Sequence, residues 1–277
     1  MAGRASCEKC HGVGYAITQR GEYAHATACV CQMSCDRCGG RRFVITEQDG
    51  YEVAKPCSCA AIEKRVRLYN EAGIPARFAR KSLSDYEAKR FNGRLKMKLL
   101  DYQRKFRLSE ARGFLLAGAP GTGKTHLVTA VLHFLSLERG IACRFIDFFE
   151  LTAQIRSTYG DNDKGISESS IIEPLVRVPV LAIDELGKGQ GTAWELSIVD
   201  QLISRRYNAG RIVLATSNYF PERDQRARQA TANRTHKSER VATSLEERVG
   251  SRIFSRLTEV SDIEILEGSD YRQRALG

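Results

Sequence analysis

The sequence predicts an α/β protein in which a parallel sheet lies between helices, preceded by a small cysteine-rich module. Three observations lead there. Eight of the nine cysteines fall within the first 59 residues, short apolar runs alternate with longer amphipathic segments between 113 and 217, and a glycine-rich turn joins the first of those runs to a helix. A chain of 277 residues holds one domain of ordinary size plus an appendage. The expected divisions are 1–62, 63–109 and 110–277. No stretch approaches the roughly 18 apolar residues of a membrane span, and the N-terminus lacks a secretory pattern, so a soluble, cytoplasmic protein with no membrane partner is expected.

The first division is an internal repeat. Cys7, Cys10, Cys29 and Cys31 recur 28 positions later as Cys35, Cys38, Cys57 and Cys59, and Gly12, Ile17, Thr18 and Tyr23 recur as Gly40, Ile45, Thr46 and Tyr51. Each copy reads as two strands with a turn. Crowded cysteines in a reducing compartment point to metal, and Cys-x-x-Cys followed by Cys-x-Cys supplies four soft ligands on two knuckles, which suits tetrahedral zinc. An iron–sulfur cluster or a redox disulfide set is the other chemistry for such thiols. The simplest pairing gives each repeat one ion, for two zinc ions in all; a cross-braced set mixing the halves has compatible spacing. His11 and His25 are not needed as ligands, and Cys143 reads as an inert core thiol. The run from Cys7 to Gly14 also matches the Cys-x-x-Cys-x-Gly-x-Gly knuckle of J-protein chaperones, over too little chain to imply chaperoning.

The net charge of +10 is concentrated in the second division. Residues 63–107 hold 14 Lys/Arg against 5 Asp/Glu, whereas 108–277 hold 22 of each. Helices are expected over 63–72 and 87–109, broken by Gly73 and Pro75. In the second helix Phe91, Leu95, Leu99, Tyr102 and Phe106 recur at three and four, a core-facing stripe, which leaves the Lys/Arg face as the candidate for a nucleic-acid backbone.

The third division begins with a buried strand at 113–117. A helix then runs to Leu137, followed by a strand at 142–146, a helix at 148–159, a strand at 178–184, a helix at 193–209 and a strand at 211–217. Residues 221–245, rich in Arg, Gln, Thr and Asn, read as a solvated insertion loop. Gly118-Ala119-Pro120-Gly121-Thr122-Gly123-Lys124-Thr125 matches G-x-x-x-x-G-K-[ST] between a strand and a helix, the context of a P-loop. Its backbone N–H groups would cradle phosphates, Lys124 would reach the β- and γ-phosphates of ATP, and the Thr125 hydroxyl would hold Mg²⁺. Asp184 and Glu185 end an apolar strand at the edge where ligands of parallel sheets bind; Asp184 is expected in the magnesium shell and Glu185 as the base that polarises water. Asn218, ending the next strand, is a candidate for placing that water.

With these elements in order, the sequence resembles AAA+ ATPases over about residues 73–274. The likeness is to the helicase-loader group of DnaC and DnaI type and to the related IstB transposition helpers. It rests on Gly-Lys-Thr-His at 123–126, Ile74-Pro75-Ala76-Arg77-Phe78, and the run from Glu247 to Leu257. The resemblance implies a P-loop AAA+ core that binds and hydrolyses ATP, with His126 beside the nucleotide and Asn218 as the sensor 1 residue. It also implies Arg256 as an arginine finger acting on a neighbouring subunit's ATP, with Arg252 the competing candidate, and Arg272 as a second sensor. The function it implies is loading a replicative DNA helicase onto single-stranded DNA as a homo-oligomer, with a zinc module ahead of the ATPase as in DnaI-type loaders. A transposase-helper ATPase of IstB type, or a nucleotide-gated zinc adaptor, is the alternative.

Overall fold

The computed structural model describes residues 7–32, 35–88, 92–159, 167–189, 191–221, 243–268 and 270–271. It divides into two compact units, Met1–Ser82 with Thr129–Cys143, and Leu83–Val128 with Arg144–Gly277. The segment expected as a linker, 63–109, is thus shared between them.

In the first unit the repeat is visible in the backbone as well as in the sequence. β1 (Tyr15–Arg20) pairs antiparallel with β2 (Tyr23–Ala28), and β3 (Phe43–Gln48) with β4 (Tyr51–Pro56), each through a two-residue turn. Positive φ at His11, Gly12, Gly14 and Gly21 recurs 28 positions on at Gly39, Gly40, Arg42 and Asp49. At Asp49-Gly50 both φ values are positive, the type I′ geometry whose twist matches that of flanking strands. α1 (Ala60–Glu71) buries Ile62 and Tyr69 and packs on β2. The Asn70 amide bonds both the N–H and the C=O of Ala26, at 2.7 and 3.0 Å, so the outer edge of β2 is satisfied by a side chain.

The second unit is built on a five-stranded sheet. Its strands are β5 (Gly113–Gly118), β6 (Cys143–Asp147), β7 (Val180–Asp184), β8 (Ile212–Ser217) and β9 (Ser261–Leu266), in the order β6-β7-β8-β5-β9; Cys143, the first residue of β6, belongs to the first unit. The β5–β8, β5–β9 and β7–β8 pairs run parallel. Every residue of β5, β7 and β8 is buried, as a sheet covered on both faces requires. One face carries Leu115, Leu181, Ile183, Val213 and Ala215 onto side chains of α4 (Phe148–Ser157), α5 (Glu168–Arg177), α6 (Ala193–Asn208), α7 (Leu245–Val249) and α8 (Ser251–Val260). Burial of each Leu, Ile or Val among them contributes about 2 kcal/mol. Side-chain caps set where these helices start: Asp147 accepts from the N–H groups of Phe149 and Glu150, and Ser167, Thr192 and Ser244 each form a capping box.

Two further helices precede these. α2 (Gly93–Lys105) starts six residues later than the expected 87, because Tyr86 to Ala88 are not helical. The Asn92 amide is drawn instead to Glu267 O and the Tyr86 hydroxyl, at 2.9 and 3.1 Å. Leu95, Leu99 and Phe106 are buried and Tyr102 stacks edge-on with Phe106 and Phe114, so the stripe is packing; Phe91 lies outside the described residues. α3 (Lys124–His133) continues as a π-helical turn, Phe134–Glu138. α5, α7, α8 and β9 were not among the expected elements. α5 contains Pro174, which reads as a helix breaker; it removes one N–H from the helix, the one that would reach Ser170 O, while its own carbonyl still accepts from Val178 N–H at 3.1 Å.

Arg206 of α6 is fully buried. Its guanidinium bonds the carbonyls of Leu175, Val176, Val178, Pro179 and Ile212, without a carboxylate, and burial pulls its pKa down to about 9. The negative end of α5 supplies part of the compensating field.

Candidate nucleotide-binding and metal sites

β5 ends in the loop 118–125 and β7 ends in Asp184, with β8 lying between them in the sheet. The Thr125 hydroxyl donates to both carboxylate oxygens of Asp184, at 3.0 and 3.1 Å. The intervening strand contributes Thr216, whose hydroxyl donates to Asp184 Oδ1 at 2.5 Å and accepts from Glu185 N at 3.0 Å. Asp184 is only 5% exposed, and burial pushes its carboxyl above the usual carboxylate range while the two threonines pull it back down. A hydroxyl and a buried carboxylate, both hard oxygen donors, suit a magnesium ion.

The loop itself folds tightly over its own lysine. Lys124 Nζ donates to Gly118 O and Ala119 O, both at 2.8 Å, and the Thr122 hydroxyl donates to Ala119 O at 2.9 Å. Pro120 is exposed. Three glycines of the loop combine positive φ with a close neighbour, and at Gly118 (φ +151°) a Cβ would lie 2.3 Å from the backbone oxygen of Leu266. A Cβ at Gly121 (φ +77°) would lie 1.9 Å from Asp270 Oδ1, and one at Gly123 (φ +95°) would lie 2.6 Å from Tyr86 Cε2. Tyr86 donates to Thr122 O at 3.1 Å and meets the His126 ring edge-on at 5.7 Å, while Tyr271 N–H donates to Gly121 O at 3.0 Å. The loop is therefore held from outside by Tyr86 and by Asp270-Tyr271.

Glu185 follows Asp184 with φ +54°, a left-handed backbone unusual for a residue with a side chain, and its carboxylate is ion-paired with Lys188. That pairing raises the Lys188 pKa. Asn218 is half-buried, two residues beyond Thr216 at the same strand end. Arg256 bonds Asp200 at 3.3 Å and also Ser204, both on α6, and its guanidinium lies 5.7 Å from the Tyr207 ring centre. Arg252 pairs with the same Asp200 at 3.7 Å. Arg272, and residues 222–242 of the expected insertion, lie outside the described residues.

Reasoning from sequence missed three residues. Thr216 sat within the polar cluster ending β8, but only the strand register puts its hydroxyl level with Asp184. Lys188 and Arg248 had no assigned role; Arg248 donates to Gly187 O at 2.9 Å and to Gly189 O and covers the Tyr219 ring at 5.1 Å, joining α7 to the segment after Glu185. The Lys/Arg face of α2 is largely engaged within the chain. Lys98 pairs with Asp262 and Glu264, Arg104 and Lys105 with Asp101, and Lys96 donates to Ser84 O and Tyr86 O. The ion pairs are solvent-exposed and weak, so a phosphate could exchange with them.

The eight N-terminal thiols form two groups, Cys7, Cys10, Cys29 and Cys31, and Cys35, Cys38, Cys57 and Cys59, each with its sulfurs within 4.8 Å of one another. The groups follow the repeat: Cys7 and Cys29 Sγ are 3.7 Å apart and Cys35 and Cys57 3.8 Å, while Cys10–Cys31 and Cys38–Cys59 are both 3.5 Å. Backbone N–H groups turned toward sulfur, chiefly that of Cys10 at Cys7 and that of Cys59 at Cys57, pull these thiols down to about 7 and about 6. Burial and the neighbouring thiols push Cys29 and Cys59 the other way, to about 12, and it is the placement of the four sulfurs that fits a soft tetrahedral ion. Cys143 is buried, and burial pushes its thiol up, away from reactivity.

The chain can be set beside known proteins. Over 157 residues the chain is 29% identical to the replicative helicase loader DnaC of Buchnera aphidicola subsp. Baizongia pistaciae, covering 56% of this chain and 62% of that protein. Over 98 residues it is 33% identical to DnaC of Escherichia coli K12, covering 35% and 39%. It spans less than two thirds of either relative. The crystal structure of the DnaC helicase loader superposes with a TM-score of 0.56 at 23% identity, over 69% of this chain and 99% of that one, and shares its fold. Among the described residues no helix is long and apolar enough to cross a membrane. The family model for IstB-like ATP binding proteins matches residues 62–272, and this chain belongs to that family.

Proposed function

We propose that this protein is an ATP-hydrolysing AAA+ loader of a replicative DNA helicase, carrying two zinc ions in its N-terminal repeats. The observation that carries the ATPase reading is the convergence of Thr125, Asp184 and Thr216 at the mouth of the loop that holds Lys124. ATP binding would draw Lys124 from the carbonyls of Gly118 and Ala119 onto the β- and γ-phosphates, with the N–H groups of residues 121–125 around the same oxygens. Thr125 and Asp184 would hold magnesium, which shields phosphate charge. Glu185, released from Lys188, polarises the attacking water, and Asn218 positions it. Arg256, released from Asp200, serves as a finger to the ATP of a second copy in a homo-oligomer, so that turnover depends on assembly. Arg272 is assigned to the nucleotide as well.

The likeness to the replicative helicase loader DnaC, over part of each chain, supports the helicase as partner, and single-stranded DNA is the surface proposed for the loaded assembly. The family name keeps a second partner in view, a transposase, on the same ATPase. Nucleotide binding and turnover by the full chain, with and without helicase and single-stranded DNA, test the reading. Lys124→Ala loses nucleotide affinity by about 100-fold or more, whereas Glu185→Gln binds normally and loses turnover by a similar factor. Normal hydrolysis by either variant contradicts the assignment. Turnover that stays negligible with every partner present makes the protein a nucleotide-gated adaptor. Capture of a transposase in place of the helicase moves it to transposition.

A further inference from the structure

The two copies of the N-terminal repeat share cysteine geometry, positive-φ positions and strand register, yet differ in what covers one face. In the first hairpin that face carries Tyr15, Ile17 and Gln19 of β1 against Ala28, Ala26 and Ala24 of β2. It is occupied. Ala24 and Ala26 are buried, α1 packs on β2, Asn70 bonds both backbone groups of Ala26, Tyr15 donates to Glu138 at 2.6 Å, and Gln19 donates to Ala76 O at 2.9 Å. The small alanines are what allow a helix so close.

The same face of the second hairpin carries Phe43, Ile45 and Glu47 against Pro56, Ala54 and Glu52. Phe43 is 41% exposed and Ile45 54% exposed, although they stand where Tyr15 and Ile17 are half-buried. Among the described residues nothing plays the part of Asn70 at Ala54, which occupies the place of Ala26. The departure in charge is informative. Gln19 faces Ala24 in the first copy, but Glu47 faces Glu52 in the second, like charges directly opposite that destabilise a hairpin unless a cation lies over them. Neither carboxylate forms an ion pair with a described residue.

We propose that this open face docks a basic amphipathic helix of a protein partner, as the first copy docks α1. The helix would lay apolar side chains on Phe43, Ile45 and Ala54 and set Lys or Arg over Glu47 and Glu52, with a carboxamide reaching the outer edge of β4 at Ala54. α1 itself, Ala-Ala-Ile-Glu-Lys-Arg-Val-Arg-Leu-Tyr-Asn-Glu, carries Lys64, Arg65 and Arg67 against Glu63 and Glu71, with Asn70 as the carboxamide, and serves as the template. The acidic pair turns away a phosphate backbone, so single-stranded nucleic acid is the wrong occupant for this face. The inference does not depend on the ATPase reading.

The test is fluorescence anisotropy with a labelled synthetic peptide copying residues 60–72, titrated with the zinc-loaded full chain. Saturable binding is expected, weakened about tenfold or more by Ile45→Asp. Glu47→Lys with Glu52→Lys should weaken it comparably and remove its loss at high salt. Both sets of positions are exposed, and zinc content with circular dichroism verifies that the variants keep the hairpin. The first hairpin is unaltered in these variants, so peptide that merely displaced α1 there would bind all of them alike. Absence of binding, equal affinity for Ile45→Asp, or displacement by a single-stranded oligonucleotide overturns the proposal.

Discussion

The two units of this chain solve the problem of holding strands together by different physics. In the second, β5, β7 and β8 are buried along their whole length between helices. In the first, β4 is exposed throughout, and the buried residues of the second repeat are chiefly its own cysteines. An isolated two-stranded hairpin is marginal in water, so the second repeat depends on whatever joins Cys35, Cys38, Cys57 and Cys59, whereas the sheet depends on apolar burial. The same contrast separates the chemistry: soft donors grouped along a short stretch of chain in one unit, hard oxygen groups gathered from the start of α3 and the ends of β7 and β8 in the other.

The largest expected effect would break that comparison outright. Stripping zinc from the full chain should abolish amide protection over residues 35–59 while the sheet unit keeps its own unfolding transition, followed by hydrogen exchange beside metal analysis. Hairpins that stay protected without metal would mean that crosslinking is not what holds them. The converse perturbation is Arg206→Met, which leaves five carbonyls without their donor and should cost the sheet unit about 3 kcal/mol in urea unfolding with the hairpins untouched. A change under about 0.5 kcal/mol would show that water replaces the guanidinium.

Smaller effects sharpen the account of the hard-donor site. Thr216→Val removes a hydroxyl that orients Asp184, and should lower magnesium-dependent nucleotide affinity about tenfold while affinity without magnesium is unchanged. An equal loss in both conditions would assign Thr216 to packing instead. The smallest effect is on pH. The raised Asp184 carboxyl binds its proton more tightly folded than unfolded, so its own contribution to stability is present at low pH and lost as pH rises past the folded value. Magnesium needs the carboxylate, and its binding should therefore release a proton and weaken, as pH falls, earlier than for an exposed aspartate. Isothermal titration in two buffers of different ionisation enthalpy reads this, and Asp184→Asn should abolish it.

The P-loop and the cysteine repeat were legible because their chemistry demands particular residues at fixed short spacing. α5 was not, since Pro174 reads as a breaker, and only the burial of Ile172, Leu175 and Val176 in the core offsets the hydrogen bond it removes. β9 was missed because its mixed sequence, Ser-Asp-Ile-Glu-Ile-Leu, makes an edge strand only through pairing with β5. Lys188 and Arg248 carry ordinary surface chemistry, and nothing local marks them as partners of Glu185 and of the segment that follows it.

What the chain determined by itself is the inventory of reactive groups: a phosphate loop with its lysine, two adjacent carboxylates at a strand end, and two sets of four thiols. These depend on neighbours within a few bonds. What only the tertiary structure decided is which groups meet across strands and which surfaces are left open. Thr216 reaches Asp184 because parallel register aligns them, and the second hairpin is bare because α1, a single helix, packs on the first. Such outcomes depend on packing between distant segments, which short-range sequence pattern does not encode.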